Sequence, residues 1–255
     1  MYSIPSARIS WVSNSISDPN TVLNTAVAES LRQFADKLEG AEDFDTALNN
    51  LIRDTIRAHK RIIFNGNGYD DAWIREATEE RGLLNLRSTP DCLPYMLSAK
   101  NIKLFADHKV FTEAEVESRY EITLENYCKT IHIEAATMAD MVRKEILPAV
   151  MAYSKAVCDA GLSKKSFGMD TSYEEELAAK LSGLIISMKN GVVGLEEAVS
   201  KAERFRNVTD KAFAYKETIC TGMQSLREFC DTAETCTASA YWPFPTYDDL
   251  LFGVR

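Results

Sequence analysis

The chain has 255 residues, of which 45% are hydrophobic and 26% are charged, a balance typical of globular proteins rather than disordered or fibrous chains. Its formal net charge of −9 argues against nucleic acid or an anionic membrane as a partner, because both bind basic surfaces. No signal peptide and no membrane-length apolar run is recognisable. Six scattered cysteines without a CxxC pair fit a reducing compartment and disfavour structural zinc. We therefore expect a soluble, cytoplasmic protein.

Helical signals dominate the chain. Only 11 glycines and 7 prolines leave little room for the tight turns of a sheet fold, and apolar residues recur at three- and four-residue spacing. Capping residues mark the helix starts, and glycines mark several ends. In chain order, the predicted helices cover 18–39, 43–58 and 69–81, a run that starts at 88, then 99–108, 113–160, 171–190 and 195–240, the last with an interruption near Val208.

Several positions predict interruptions between or within these helices. Pro148 removes one backbone hydrogen bond and should bend its helix about one turn upstream. Gly191 and Gly194 predict a break, residues 61–64 are a short extended candidate, and residues 161–170 are the clearest linker. Together these patterns predict an all-α fold, a multi-helix bundle of long amphipathic helices.

The strongest turn signal is Asn65-Gly66-Asn67-Gly68, which leaves two interpretations open. One is a phosphate cradle, but a P-loop requires Lys followed by Ser or Thr, and a dinucleotide fingerprint requires a third glycine. Here Tyr69-Asp70-Asp71 follows, and two carboxylates repel phosphate. The favoured interpretation is a structural turn that caps the next helix.

Other chemically suggestive residues have simple structural explanations. His132 and Glu134 lie two residues apart on a predicted helix and do not share a face, which disfavours a metal site. Basic and acidic side chains at helix ends complement the helix dipole, and a methionine stripe is typical of a core. These groups are His59 and His108 at helix C-termini, Glu174–Glu176 in a first turn, and Met138, Met141 and Met151 in the stripe. The pattern therefore predicts no catalytic, cofactor-binding or metal-ligating residue.

The C-terminal segment is rich in aromatic residues and proline. Five aromatic side chains fall within 12 residues: Tyr241, Trp242, Phe244, Tyr247 and Phe252. Such a group left in water would be an adhesive patch, so the tail 241–255 either folds back onto its own bundle or docks on another domain or subunit. Of these alternatives, we favour docking on the bundle.

Several ordered motifs resemble the C-terminal region of type III glutamine synthetases, a class of bacterial glutamate–ammonia ligases. The resemblance covers roughly residues 16–255. It is carried by DPNTVLNTAVAE at 18–29, RIIFNGNGY at 61–69, the stretch 73–86 with RGLLN at 81–85, SRYEI at 118–122, KTIHIE at 129–134, ILPAV at 146–150 and WPFPTY at 242–247.

This resemblance implies the function of a longer enzyme. Members of the family ligate ammonia to glutamate through γ-glutamyl phosphate, use ATP and divalent ions such as Mg²⁺, and assemble as double-ringed homo-oligomers. Their metal-binding glutamates belong to a catalytic body that precedes the region matched here. The implied partners are that catalytic body or neighbouring subunits, with no nucleic acid and no membrane.

Three departures from the family pattern limit what can be transferred. Residues 7–11 read ARISW and lack the Glu and Arg of the family's Phe-Glu-Phe-Arg strand, Tyr69-Asp70 stands where a substrate motif would carry Met-His, and no glutamate-rich strand lies upstream. No catalytic or metal residue, and no cofactor site, is therefore assigned to this chain. Residues 1–17 are expected to be an extended or disordered remnant of the catalytic body, and 18–255 a helical C-terminal domain with a possible boundary at 161–170.

Two functions follow as alternatives. In the first, the chain is the C-terminal helical portion of a glutamine synthetase and acts as a non-catalytic scaffold and oligomer contact. In the second, it is a stand-alone helical interaction module without ligase activity. The first is favoured because the resemblance extends into the tail.

Overall fold

The computed structural model describes residues 16–245 and 247–253. Within these residues the chain forms helices joined by turns, with no β-strand, which confirms the predicted all-α fold. The predicted segment 1–17 lies outside the described part except for its last two residues, of which Ser17 already begins a helix. The chain divides into two compact units, with the boundary between Thr123 and Leu124. The possible boundary at 161–170 remains a prediction.

The amino-terminal unit contains mostly short helices. They are α1 (Ser17–Leu38), α2 (Phe44–Ala58), α3 (Asp71–Arg75), α4 (Thr89–Cys92), α5 (Ala99–Asp107) and the start of α6 (Glu113–Met141). Local signals place the ends: Asp43 caps α2 by accepting a hydrogen bond from the Thr46 amide, and Thr112 and Glu115 form the predicted capping box. Gly40, just past α1, adopts a φ of 79°, as helix termination by glycine requires.

The structure of residues 61–64 differs from the sequence-based prediction. They were expected to be extended, but a 3-10 turn covers Lys60–Ile62 directly after α2. The His59 carbonyl accepts a hydrogen bond from the Ile62 amide and the Lys60 carbonyl accepts one from the Ile63 amide. The backbone after the C-cap of α2 thus continues as a tighter helical turn instead of a strand.

The carboxyl-terminal unit contains longer helices and the larger core. After α6, a π turn at Val142–Ile146 leads into α7 (Leu147–Ser166), followed by α8 (Ser172–Ala202), α9 (Val208–Ala214), a π turn at Tyr215–Ile219, α10 (Cys220–Cys236) and α11 (Tyr247–Phe252). Helix α8 packs on both α7 and α10. The fully buried side chains include Val150, Leu181, Met188, Tyr215, Ile219 and Leu226.

At the place where a bend was predicted, upstream of Pro148, the structure has the π turn Val142–Ile146, which ends directly before Leu147. A proline nitrogen cannot donate to the carbonyl four residues back, and a wider turn accommodates that loss. The linker predicted at 161–170 is only partly correct. Helix α7 continues to Ser166, and the connection to α8 is the short turn that follows, with Gly168 at a φ of 67°.

The break predicted at Gly191 and Gly194 is wrong, because α8 runs through both positions without interruption. A Cβ atom added at Gly191 would lie 3.0 Å from Leu226 Cδ1, whereas one added at Gly194 would meet nothing within 4 Å. Gly191 therefore permits the close approach of α8 and α10. In a sequence, a glycine with this packing role looks the same as a glycine that breaks a helix.

This difference between the two glycines can be measured. Gly194→Ala should stabilise the chain by about 0.5–1 kcal/mol, because alanine costs less conformational entropy in a helix. Gly191→Ala gains the same entropy but crowds Leu226, and overpacking costs about 1–3 kcal/mol. Chemical denaturation should rank Gly194→Ala as the more stable variant, and equal stabilities would show that α8 and α10 do not require the glycine.

Candidate functional site

The turn Asn65–Gly68 is part of a rigid structural cluster. The Phe64 ring stacks on Trp73 with centroids 3.7 Å apart. A Cβ atom at Gly66 would lie 2.6 Å from the Phe64 ring, so this position accommodates only glycine without movement. Asp70 Oδ1 accepts a hydrogen bond from the Ala72 amide and caps α3. These contacts support the structural interpretation of the turn.

Arg81 holds this cluster together. Its Nη1 donates to the carbonyl oxygens of Arg61 at 3.2 Å and Ile63 at 2.9 Å, and its Nε and Nη2 donate to Glu76 Oε1. The guanidinium group also lies over the Trp73 ring, 4.8 Å from its centroid, at cation–π distance. The motifs at 61–69 and 81–85 therefore contact each other for a structural reason.

Two other sequence-based interpretations need correction. Met141 and Met151 were expected in the core but are exposed, and Val142, Ile146 and Val150 are buried instead. Glu174 was expected in a solvated first turn, but only 12% of its side chain is exposed, and it pairs with Lys164 at 2.6 Å. Its Oε2 is buried without a hydrogen-bond partner.

His108 has a partner that the sequence did not indicate. It lies at the predicted helix C-terminus, as the C-cap of α5, and its Nε2 is 2.8 Å from Glu29 Oε2 on α1. Arg32 also donates to both carboxylate oxygens of Glu29, and Gln33 donates to one of them. These donors, with Arg32 first, hold the pKa of Glu29 well below its ordinary value. Helix α1 is thus anchored to α5 through its polar side.

The second polar cluster lies in the carboxyl-terminal unit and centres on Tyr215, which is completely buried. Its hydroxyl donates to Glu203 Oε1 at 2.5 Å. His132 Nδ1 is 2.9 Å from the same hydroxyl oxygen, and since the single hydroxyl hydrogen is directed to Glu203, the imidazole Nδ1–H donates there. Lys211 Nζ donates to Glu203 Oε2 at 2.9 Å.

The ionisation of this cluster follows from its contacts. Hydrogen bonds from Tyr215 and then Lys211 lower the pKa of Glu203, so the carboxylate remains charged. Burial, with the neighbouring Glu203 carboxylate, raises the pKa of Tyr215, so the phenol remains protonated. Of these residues only His132 was considered in the sequence, and it is hydrogen-bonded as the structural interpretation requires. Tyr215 and Glu203 carry no motif because their partners are distant in sequence.

His132 also borders a shallow groove between α6 and α8. The groove has a volume of about 400 Å³, and small residues of α6, Ala135, Ala136 and Ala139, face Leu195 and Val199 of α8 across it. Glu196 at its rim is paired with Arg143 at 2.7 Å. The groove contains no unpaired group positioned for chemistry, so its form suits packing rather than catalysis.

The largest exposed apolar surface of the amino-terminal unit lies on α1, α2 and the turn that follows α2. Leu23, Val27 and Leu31 form a stripe at four-residue spacing on α1. We call this surface the α1–α2 face and define it by Leu23, Val27, Leu31, Phe44, Ile52, Ile56, Ile62 and Ile63, all exposed. A groove of about 670 Å³ opens between the two helices and is lined by apolar residues, including Phe34 and Leu51, and by polar ones, including Lys37 and Asp54. Many exposed apolar side chains on neighbouring helices are typical of an interaction surface.

The two halves of the aromatic tail differ in their contacts. Tyr241 contacts Tyr153 of α7, with ring centroids 5.3 Å apart, and Trp242 packs edge-on against Phe244 at 6.2 Å. Beyond the prolines, residues 247–252 form the short helix α11, which was not predicted, and its Leu250, Leu251 and Phe252 are exposed. The first half of the tail therefore contacts the bundle, and the described side chains of the second half do not bury apolar surface there.

In the described part of the chain, no three His, Cys, Asp or Glu side chains are grouped as metal ligands. Several carboxylates pair with cations of the chain: Glu29 with Arg32, Glu174 with Lys164 and Glu203 with Lys211.

None of the described helices is long and apolar enough to cross a membrane.

Comparison with known proteins identifies relatives of this chain. A family profile described as the glutamine synthetase C-terminal domain matches residues 47–165. The chain is 38% identical to a glutamine synthetase of Butyrivibrio fibrisolvens over 84% of its length, and 34% identical to the type-3 glutamine synthetase of Dictyostelium discoideum over 92%. It is 30% identical to a glutamine synthetase of Bacteroides fragilis over 90%.

The match is confined to one part of these relatives. The chain spans about a third of their length, 31% to 33%, and the part that it matches is their C-terminal part. About two thirds of each relative therefore precede the region described here.

Proposed function

Since this chain corresponds to the C-terminal region of type III glutamine synthetases, we propose that it is the non-catalytic helical scaffold of an enzyme that ligates ammonia to glutamate at the expense of ATP. The observation that carries this proposal is that three prominent carboxylates are committed to ion pairs within the chain. Glu29, Glu174 and Glu203 are each held by a cation of the same chain. Phosphoryl transfer depends on metal-borne charge and on positioning, and these side chains provide structural ion pairs instead.

The proposed partners follow from the same assignment. The amino-terminal two thirds of the enzyme supply the catalytic body, including the groups that bind ATP and Mg²⁺, and this chain packs against that body. Neighbouring subunits of a homo-oligomer are the second proposed partner. The cysteines of the described residues are free thiols, which supports the cytoplasmic location expected from the sequence.

A reconstitution experiment tests this function. Purified chain incubated with glutamate, ammonia, ATP and Mg²⁺ should form no glutamine above background. The amino-terminal two thirds of the B. fibrisolvens enzyme, produced alone, should be inactive or unstable, and co-expression with this chain should restore turnover.

The matched control replaces this chain with an unrelated helical protein of similar size and charge, which should restore nothing. Glutamine formation by the highly purified chain alone would contradict a scaffold role. Activity of the amino-terminal part that is independent of this chain would contradict it as well.

A further inference from the structure

We infer that the α1–α2 face is the surface on which the amino-terminal two thirds of the synthetase packs, an inference that rests on the proposed function. The burial pattern of α1 is the reverse of that of an ordinary amphipathic helix. Thr25 is buried and Glu29 is largely enclosed, whereas Leu23, Val27 and Leu31 are exposed. At 100° per residue, positions two apart lie on nearly opposite sides of a helix. Helix α1 therefore presents polar residues to its own unit and apolar residues outward.

The polar side of α1 is fixed by specific contacts, so this orientation is determined by the fold. Glu29 is held by Arg32, Gln33 and His108, and the His108 contact ties α1 to the end of α5. The Thr25 hydroxyl donates to the Thr21 carbonyl at 2.7 Å. Rotating α1 to bury its apolar stripe within the unit would break the contact between Glu29 and His108, whereas the other bonds lie within α1 and orient its polar side chains.

The two helices bury too little to be stable by their own packing. The 22 residues of α1 bury only Thr25, and the 15 residues of α2 bury none. Most helical stability in proteins comes from tertiary packing of an amphipathic face. Here most of the apolar side chains that should provide it are exposed. Between the two helices lies an open groove of about 670 Å³ with a mixed polar and apolar lining, which includes Ile62 of the face.

The size of the face matches a stable interface. The exposed parts of its eight side chains amount to roughly 800 Å², about what one partner contributes to a standard protein–protein interface. By contrast, α8 in the other unit buries Leu181, Met188, Val192 and Leu195 within the chain. The deficit of burial is therefore pronounced in α1 and α2, which are long enough to bury a full apolar side.

The occupant is identified by chain length and by charge. About two thirds of each relative precede the matched region, and α1 is the first described helix, the one adjacent to that preceding part. A second copy of this chain would carry the same formal net charge of −9, and the repulsion between two acidic chains opposes self-association. Packing of the preceding part of the enzyme on this face does not require two copies of this acidic chain to approach each other.

The experiment uses a fusion in which this chain replaces the C-terminal third of the B. fibrisolvens synthetase. Hydrogen exchange of peptides from α1 and α2 is compared between the fusion and the isolated 255-residue chain. We expect at least 100-fold slower exchange for both helices in the fusion, with little change in α8 and α10. Unchanged exchange of α1 and α2 in a fusion that forms glutamine would overturn the inference while leaving the proposed function intact.

Surface variants provide the second measurement. The separately produced amino-terminal two thirds is titrated with the full chain, and the double variants Val27→Ser/Leu31→Ser and Ile52→Ser/Ile56→Ser should each bind at least 100-fold more weakly. The matched control is Ile133→Ser/Leu162→Ser, equally exposed positions of the other unit, which should bind within 3-fold of the unmodified chain. Circular dichroism should show unchanged helicity for all three variants, because the replaced side chains are exposed.

The outcomes separate the two proposals. Binding that survives both face variants overturns the inference and leaves the scaffold function standing. If the unmodified chain neither binds the amino-terminal part nor supports glutamine formation in the fusion, the proposed function itself fails. If the isolated chain dimerises, and the face variants abolish the dimer without affecting the amino-terminal part, the occupant is a second copy and the inference is wrong.

Discussion

Leu226→Ala should be among the most destabilising single substitutions in the chain, because Leu226 is fully buried on α10 and contacts α8 next to Gly191. Truncating a buried leucine removes its transfer free energy and leaves a cavity, which together cost about 2–5 kcal/mol. The surrounding helices cannot close around the gap easily, since α8 is already at van der Waals distance through its glycine. We expect a loss near the middle of that range, about 3 kcal/mol.

Hydrogen exchange can localise this loss. A change of about 3 kcal/mol corresponds to roughly 100-fold faster opening, and it should appear in peptides from α8 and α10. The control is Leu162→Ala on α7, where the side chain is 68% exposed, and the expected change is within about 0.5 kcal/mol. Equal effects of the two substitutions would mean that α10 does not pack on α8 as described.

Local chemistry explains why most helices could be predicted from the sequence. A capping box at Thr112 and Glu115 and glycines at 40 and 82 determine helix ends through contacts within a few residues. Stripes of apolar residues then indicate helical periodicity wherever the helix is long. The fold class therefore depends on short-range information, which a single sequence contains.

The errors arise where a distant contact decides the structure. A glycine within a helical run predicts a break, yet Gly191 lies where Leu226 of α10 packs closely against α8. Met141 and Met151 were assigned to a core stripe, yet the packing of the helices buries Val142, Ile146 and Val150 instead. In each case the intrinsic signal is correct, and tertiary packing assigns it another role.

The same distinction applies to the functional surfaces. The apolar stripe of α1 is visible in the sequence, where it predicts a side that faces the core. Only the structure shows that Glu29 and His108 fix the opposite side of α1 to its own unit, which directs the stripe outward. The cluster of Tyr215, Glu203 and His132 was also undetectable, because His132 lies 83 positions before Tyr215.

Tyr215→Phe tests that cluster, and at neutral pH it should cost about 1–3 kcal/mol, the range for a hydrogen bond to a charged group. The lower half of this range is expected, because Glu203 is partly exposed and water can replace the lost donor. Chemical denaturation measures the loss. The control is Tyr173→Phe, whose ring is 68% exposed and should contribute within about 0.5 kcal/mol.

The pH dependence of this loss distinguishes a buried phenol from simple packing. Because the pKa of Tyr215 is raised in the folded chain, its contribution is complete below the ordinary tyrosine pKa of about 10 and declines as the pH rises above it, by up to ~1.4 kcal/mol per pH unit. The phenylalanine variant lacks this group, so the stabilities of the two proteins should converge between about pH 10 and 12.

At the acid end, the lowered pKa of Glu203 gives stability that is lost as the pH falls below about 4.5. Since Tyr215 is the first cause of that lowering, the acid decline should be shallower in the variant. A difference in stability that stays constant from pH 4 to 12 would show that Tyr215 contributes only through the packing of its ring.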